Sequence, residues 1–442
     1  MMSTAYHSVN RTEPEQKRAA RKHSYRVATG AAAGLFTVAA TLSGGTAYAS
    51  AKHITLTEID DYPAGLPQYA AYQWLFKTYE TTHPNVTIAR EAVSGTEILP
   101  KLLAEASTGT LPDLAVPDNP QIPNLAATGK FVNLDPYLKK WGQWGDYLPG
   151  SKAVTTVKGA VYGIQIGTND LAIYYNKKIF AEAGVTPPKT WTWAQFLADS
   201  KQIVAKAKGL TYGAFGYGGN CGGNWQLLPF IYSQGLNVNN MTAPGTVAAV
   251  NFWAELLKDG LANREVITQC QSTNIPQLIQ GTLAMAEDGP WDLPTFAKAH
   301  FTDWGVLPIP LRKAGDKESV PLGGEVWTIP KTNPATEKAA WDFIQWSQQP
   351  KILLQFDAKL GYFAVRPALW PAEEKADPKV TPFIQELKYA VGRTTVLGLS
   401  FNTYATDLNT ALLQVLEGQK SAPDALAAAL KAAKTTLASS GG

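Results

Sequence analysis

The sequence is poor in the residues that build metal sites and redox centres. Only two of its 442 residues are cysteines and five are histidines. His53, His83 and His300 are widely spread and form no H-E-x-x-H motif, which makes a zinc site improbable. No G-x-S-x-G motif is present, and residues 213–219 lack the glycine spacing of a dinucleotide-binding loop. The sequence therefore contains no recognisable catalytic or cofactor motif, and we expect neither a catalytic residue nor a cofactor.

A large excess of charge of one sign is also absent. The chain carries 39 Lys and Arg against 36 Asp and Glu, and without its first 49 residues the balance is 33 against 34. A chain with this balance has no basic field that would attract nucleic acid or acidic lipid. We expect no nucleic-acid partner.

The N-terminus has the organisation of a secretory signal peptide. A basic region containing Lys17, Arg18 and Arg26 precedes an apolar run at residues 27–42, and small residues follow before Ala49. This order predicts export and cleavage after Ala49, so that residues 1–49 are a leader. A membrane anchor is the weaker alternative, because glycine and serine interrupt the apolar run at residues 43–45.

Cys221 and Cys270 are the only cysteines. In an exported protein a disulfide between them is favoured over two free thiols, although the sequence does not show that they meet. No cysteine lies near the predicted cleavage site, so we expect a periplasmic or extracellular protein without a lipid-modified N-terminal cysteine.

Strands and helices alternate in the rest of the chain. Period-two and helical spacing of apolar residues predicts strands at 54–59, 86–88 and 113–116, with helices at 68–82 and 96–107. Short connections between such elements predict a parallel sheet covered by helices. The chain is also long enough for two domains.

A second α/β unit begins after residue 160. Residues 167–170 separate two predicted strands and are typical of a crossover between lobes. Tyr174 and Tyr175 in the second strand point to opposite faces, so at least one is expected in the core. The remaining predicted elements are strands at 161–166, 171–175, 283–286 and 306–310, and helices at 178–183, 191–207 (capped by Thr190), 247–259, 275–280, 404–417 (ended by Gly418) and 422–437.

Seven short motifs in this order resemble the extracellular carbohydrate-binding proteins of ABC importers, the family of the maltose-binding protein. The resemblance spans nearly all of the chain after the leader. The motifs occupy residues 108–114, 162–164, 174–180, 188–193, 289–291, 323–324 and 361–366.

The resemblance implies a two-lobed periplasmic-binding-protein fold of the α/β class, with a mainly parallel sheet in each lobe and a hinge of crossing strands. Residues 50–168 and 308–350 would form one lobe, and residues 169–307 and 351–442 the other. It further implies a monomer that binds a carbohydrate in the cleft and delivers it to the membrane subunits of an ABC permease, without catalysis.

Polar residues at predicted strand ends are the first candidates for ligand contact, because ligands bind at the carboxyl ends of parallel strands. Asp60 and Asp61 follow the first strand, Asp118 and Asn119 follow the third, and Asp288 follows a strand of the second unit. Solvated loop residues are the alternative interpretation of the first four.

Other candidates come from the resemblance or from their surroundings. Trp225 lies in a glycine-rich stretch and Trp291 follows Gly289-Pro290; both match aromatic stacking positions of the family, and core packing is the alternative for each. Asn169 matches a hinge position that holds an acid in the maltose-binding protein. Three further candidates are Glu325 after two glycines, Arg366 and Tyr404; pairing with a surface acid is the alternative for Arg366.

Two rival functions remain open. A secreted glycosidase also needs aromatic rings and paired carboxylates, although no catalytic pair stands out. A binding protein for another solute, such as a polyol phosphate or a peptide, would share the fold and differ only in the chemistry of its pocket.

Overall fold

The computed structural model describes residues 52–220 and 222–439. The predicted leader, Cys221 and the last three residues therefore lie outside the described part of the chain. No helix within the described part is both long enough and apolar enough to cross a membrane.

The strands and helices follow the predicted alternation. The strands are β1 (Ile54–Asp60), β2 (Val86–Ala92), β3 (Leu114–Val116), β4 (Thr156–Val157), β5 (Ala160–Val161), β6 (Ile164–Gln165), β7 (Ala172–Asn176), β8 (Phe215–Gly216), β9 (Met285–Asp288), β10 (Trp304–Leu307), β11 (Val320–Leu322), β12 (Val326–Trp327) and β13 (Ala390–Gly392). The helices of the first part of the chain are α1 (Pro67–Thr82), α2 (Ile98–Thr108), α3 (Ile122–Ala127), α4 (Asp135–Trp141), α5 (Pro149–Thr155), α6 (Lys177–Ala183), α7 (Trp193–Lys206) and α8 (Gly223–Tyr232). Those of the second part are α9 (Pro244–Lys258), α10 (Ile275–Gln280), α11 (Leu293–Lys298), α12 (Pro334–Ser347), α13 (Pro350–Leu360), α14 (Trp370–Ala376), α15 (Thr381–Glu386), α16 (Phe401–Leu416) and α17 (Ala422–Ser439).

The first sheet has the order β2-β1-β3, and both pairings are parallel as predicted. The second sheet has the order β10-β7-β9-β8 and is mixed rather than mainly parallel. Strand β7 pairs antiparallel with both β9 and β10, and only β8 and β9 run parallel. The α/β class is confirmed. The prediction of a mainly parallel second sheet was wrong because β7 and β9 are far apart in sequence, so no local pattern shows their relative direction.

The Tyr174-Tyr175-Asn176 stretch ends a fully buried strand and begins a helix. Both tyrosines are buried, and the Tyr174 hydroxyl donates a hydrogen bond to the Gly289 carbonyl oxygen at 2.9 Å. The Asn176 side chain accepts a hydrogen bond from the Ile179 N–H and so caps α6. Helix α7 is capped by Thr192, in a reciprocal capping box with Gln195, rather than by the predicted Thr190.

The two largest hydrophobic cores lie in different lobes. The first contains Tyr72 and Leu75 of α1 together with Trp327, and the second contains Phe196 of α7 together with Phe401. Phe356 of α13 packs in the first core, where its ring centroid lies 5.2 Å from that of Tyr72. The predicted lobe boundary at residue 350 does not fit this packing.

Three chain segments lie side by side where the lobes join. Thr168 pairs with Phe363 and Asn169 pairs with Gly323, each through an antiparallel bridge. The predicted crossing at residue 308 does not fit, because Leu311 pairs with Thr192 beside the second core. We propose that the chain crosses near residues 168, 323 and 363.

Candidate functional site

A cavity of about 520 Å³ is lined by residues of both lobes. Six predicted site residues line it: Asp61, Asp118, Asn169, Trp225, Trp291 and Glu325. Further lining residues that the sequence did not single out include Tyr62, Gln68, Gln121, Gln271, Ser272, Asp292, Tyr362 and Arg393. The volume lies within the range of about 300–1,000 Å³ that is usual for small-molecule sites.

The acidic side of the cavity is built at the ends of two parallel strands. Strand β1 pairs with β3, with Asp60 opposite Val116, so the residues that follow both strands emerge at the same edge of the sheet. Asp61 follows β1, and Asp118 lies two residues beyond the end of β3. Asp118 also pairs with Glu325 through an antiparallel bridge. Three carboxyl groups are therefore brought to one side of the cavity.

The loop that carries Glu325 is held from beneath by two amides. Gln165 Nε2 donates to the Gly323 carbonyl oxygen at 2.8 Å, and Asn119 Nδ2 donates to the Gly324 carbonyl oxygen at 3.1 Å. Gly324 has φ +112°, a conformation that disfavours any side chain. Asn119, a predicted site residue, is fully buried and holds this loop without lining the cavity.

The carboxyl groups strongly affect one another's protonation. Burial, together with the negative charges of Glu325 and Asp118, holds the pKa of Asp61 well above its usual value. Burial and Asp118 raise the pKa of Glu325 to about 7, against the opposing hydrogen bonds of Tyr362 and Tyr62. Asp61 Oδ1 and Glu325 Oε2 have no hydrogen-bond partner among residues 52–220 and 222–439. Both residues line the cavity, and each therefore keeps one buried carboxyl oxygen without a hydrogen bond from the described part of the protein.

Arg393 is the one cationic residue among the described residues that line the cavity. Its Nη2 lies 2.5 Å from Asp118 Oδ1, and its guanidinium carbon lies 4.4 Å from the centroid of the Trp225 ring. Arg393 lies directly after β13 in a stretch with no motif, so no local pattern pointed to it. It joins the acidic side of the cavity to the aromatic side.

Trp225 and Trp291 form the aromatic side, and both are half-buried. Trp225 lies in the first turn of α8 rather than in a glycine-rich loop, because Gly222, at φ +96°, ends the loop and caps the helix. The Trp291 Nε1–H donates to Ser272 Oγ at 3.0 Å, and the Trp291 carbonyl oxygen accepts a hydrogen bond from Gln68 at 2.9 Å. The Trp291 residue is therefore held at the cavity wall by these bonds, and the Trp225 ring lies against the Arg393 guanidinium.

Two predicted acids support the site from behind instead of lining it. Asp60 is fully buried, pairs with Arg90 Nε at 2.5 Å and accepts a hydrogen bond from the Tyr62 N–H at 2.8 Å. Asp288 is also fully buried and accepts hydrogen bonds from the N–H groups of Ser272 and Gly289. Both acids fix the backbone of a neighbour that borders the cavity.

Arg366 and Tyr404 lie away from the cavity. Arg366 Nη2 pairs with Asp146 at 2.9 Å, and its Nη1 donates to the Gln348 carbonyl oxygen at 3.4 Å. This agrees with the alternative interpretation of Arg366, in which it pairs with a surface acid. Tyr404 packs half-buried against the core of the second lobe. The local motif thus pointed to Arg366, whereas the arginine at the cavity is Arg393.

Cys270, two residues before Ser272, is disulfide-bonded. The other cysteine of the sequence, Cys221, lies outside the described residues, so its predicted pairing with Cys270 stays a prediction.

Comparison with known proteins identifies the family. The model of the family described as bacterial extracellular solute-binding protein matches residues 74–382. The chain belongs to this family. This solute-binding protein is 26% identical over 362 residues to the maltooligosaccharide ABC transporter solute-binding lipoprotein of Streptococcus pneumoniae, with 77% of this chain and 79% of that protein covered.

Solved structures confirm the two-lobed fold. One is the GacH receptor of Streptomyces glaucescens, determined unliganded and with acarbose (TM-score 0.73, 23% identity, 86% of this chain and 97% of that chain covered). Another is UgpB from Mycobacterium tuberculosis in complex with glycerophosphocholine (TM-score 0.75, 18% identity, 87% and 99% covered). Proteins of this fold thus hold different solutes, and the solute of this solute-binding protein has to be argued from its cavity.

Proposed function

We propose that the protein captures a sugar or an oligosaccharide in this cavity and delivers it to the membrane subunits of an ABC permease. One observation supports the proposal. Two indole rings, those of Trp225 and Trp291, line the same cavity as Asp61 and Glu325, each of which has a carboxyl oxygen without a hydrogen-bond partner among the described residues. Sugars present apolar C–H faces that pack on aromatic rings and hydroxyl groups that bond to carboxylates.

The charge of the cavity argues against the phosphate alternative. Asp61, Asp118, Asp292 and Glu325 line it, and Arg393 already pairs with Asp118. A phosphate ester would meet unpaired carboxyl groups rather than unpaired cations, which costs free energy in a buried site. A neutral, hydroxyl-rich ligand fits this lining better.

Binding without chemistry is the mechanism that the arrangement supports. Residues from both lobes line one cavity, so a ligand held there favours the closed arrangement of the lobes. Closure then presents a surface made of both lobes to the permease. The streptococcal relative is named a binding protein, and we propose no hydrolytic step for this chain.

The proposed location is outside the cytoplasmic membrane. The family is described as extracellular. The streptococcal relative is named a lipoprotein, whereas neither cysteine of this chain lies near the predicted cleavage site. We propose export without a lipid anchor, and monomeric function.

A binding screen of residues 50–442 tests the proposal. Mono- and oligosaccharides, glycerol phosphates and short peptides are compared by thermal shift, followed by calorimetry and chromatography of the ligand after incubation. We expect a saccharide to raise the melting temperature by mass action and to remain intact. Stabilisation by a phosphate ester or a peptide alone, or cleavage of the saccharide, would contradict the proposal.

A further inference from the structure

Ser272 has a backbone conformation that is unusual for a residue with a side chain. Its φ is +64°, in the left-handed region, which it shares among described non-glycine residues with Lys158 and His300. For a residue other than glycine this conformation is strained. Ser272 lines the cavity, and backbone strain is often found at binding sites, where it has a role in function.

Two buried carboxyl groups hold Ser272 in this conformation. Its N–H donates to Asp288 Oδ2 at 2.5 Å, and its hydroxyl lies 3.0 Å from Asp292 Oδ2 and 3.4 Å from Asp288 Oδ1. Asp288 is fully buried, and Asp292 is 5% exposed. A hydroxyl has a single proton to donate, and in this setting it donates that proton to a carboxyl group.

The lone pair of the same hydroxyl faces Trp291. Trp291 Nε1–H donates to Ser272 Oγ at 3.0 Å, and an indole has no other polar group. The ring also packs so closely over Gly289 that a Cβ at this position would overlap it. Gln68 and Tyr174 bind the backbone of residues 289–291, so the serine is the contact that fixes the indole nitrogen itself.

We propose that Ser272 is a positioning residue that sets the orientation of the Trp291 ring for ligand stacking. The left-handed backbone directs the N–H toward Asp288 and leaves the hydroxyl between the carboxyl groups and the indole. This inference rests on the proposed function, because Trp291 is taken as a ligand-stacking residue. Ser272 therefore acts on affinity through Trp291.

Ser272→Gly separates this role from a structural one. Glycine adopts a positive φ without strain and keeps the N–H that donates to Asp288, while the hydroxyl is lost. Because the relieved strain offsets part of the cost of the hydroxyl contacts to Asp292 and Trp291, we expect the melting temperature to change by no more than a few degrees, together with about tenfold weaker saccharide binding by calorimetry. His300→Gly relieves the same strain at an exposed position away from the cavity and is the matched control; it should leave affinity unchanged.

A double-mutant cycle with Trp291→Phe sharpens the test. Phenylalanine keeps a stacking ring but has no N–H, so Ser272→Gly should have little further effect on affinity in that background. Ser272→Ala removes the hydroxyl as well and gives the same readout if the glycine variant folds poorly. Wild-type affinity in both serine variants, or an equal loss of affinity with and without the indole nitrogen, would overturn the proposal.

The ligand-free protein provides a readout that does not depend on the identity of the ligand. With 5-fluorotryptophan incorporated, the Trp291 resonance is assigned by its loss in Trp291→Phe, and Ser272→Gly should shift or broaden it. If no saccharide binds the wild type, the proposed function fails while this spectrum still tests the Ser272–Trp291 contact. An unchanged resonance would refute the positioning role by itself.

Discussion

The guanidinium carbon of Arg393 lies 4.4 Å from the centroid of the Trp225 ring, while Nη2 of the same group lies 2.5 Å from Asp118 Oδ1. A cation over an indole face and a carboxylate at its edge hold one another in place. The three residues come from three distant parts of the chain and from both lobes. This contact links the aromatic wall of the cavity to its acidic wall.

Trp225→Ala should weaken saccharide binding by about tenfold or more, equivalent to at least ~1.4 kcal/mol. The substitution removes one stacking face and also the ring that supports Arg393. Calorimetry gives the affinity, and Trp144→Ala is the control, because Trp144 is half-buried outside the cavity, with its ring centroid 5.0 Å from that of Tyr147. Equal affinities for the two variants would place the ligand elsewhere.

Arg366→Ala and Arg393→Ala form a matched pair. The mostly buried Arg366 pairs with Asp146 and donates to Gln143 and Gln348 away from the cavity, so its loss should cost about 1–3 kcal/mol of stability and leave affinity within twofold of the wild type. Arg393→Ala should weaken binding by tenfold or more, because it leaves Asp118 unpaired beside the ligand. Stability is read from urea unfolding and affinity from calorimetry. A large affinity loss in the Arg366 variant would restore it as a site residue.

Asn402→Ala should weaken the binding of every ligand by the same factor, about two- to tenfold. Asn402 Nδ2 donates to the Pro120 carbonyl oxygen and to Asn124 Oδ1, both at 3.0 Å, and so joins α16 to the first lobe without lining the cavity. Losing these bonds lowers the population of the closed form, which scales the apparent affinity uniformly.

Small-angle scattering checks this effect on closure. The Asn402 variant should be more expanded than the wild type without ligand and should match it when saturated. Thr410→Ala in the same helix is the control, because the exposed Thr410 donates its hydroxyl to the Thr406 carbonyl oxygen within α16. A ligand-dependent change in specificity would speak against a closure effect.

Glu325→Gln should flatten the pH dependence of stability. Burial and the charge of Asp118 raise the pKa of Glu325 from 4.5 to about 7, so the folded protein binds this proton more tightly than the unfolded chain. The resulting stabilisation is complete below about pH 4.5 and is lost as the pH rises through about 7. Its size is at most roughly 3 kcal/mol.

Urea unfolding at pH 5 and pH 8 measures this difference. The free energy of unfolding of the wild type should fall more between the two values than that of Glu325→Gln. Exposed Glu417, near the end of α16, is the control position for an identical substitution. The same slope in all three proteins would show that Glu325 does not retain its proton in the folded state.

The sequence predicted those parts of the site that follow local rules. Asp61 comes directly after one strand of the parallel sheet, Asp118 lies two residues beyond the end of another, and Glu325 follows two glycines, so their positions relative to these elements were enough to select them. Asp60 shows the limit of selecting residues by their position at a strand end. Strand periodicity does not predict that the Asp60 side chain pairs with Arg90 behind the cavity.

Cavity residues that are positioned by contacts with other segments of the chain have no such local pattern in the sequence. Arg393 and Ser272 lie in stretches without apolar periodicity, and their partners Trp225 and Trp291 are remote in sequence. The same limit applies to the predicted boundary at residue 350, because the lobe to which the amphipathic helix α13 belongs depends on the rings it meets, including that of Tyr72. Local patterns thus predicted elements well and their long-range partners poorly.

The core of the first lobe has a consequence for biogenesis. Trp327, from late in the chain, is fully buried against Tyr72 and Phe343, with ring centroids 6.1 Å and 5.1 Å away. The N-terminal half of the chain cannot complete this core until the C-terminal third has left the ribosome. Native contacts between such remote segments form slowly. A polypeptide that acquires its native packing late stays unfolded for longer. Passage through a secretion channel requires such an unfolded chain.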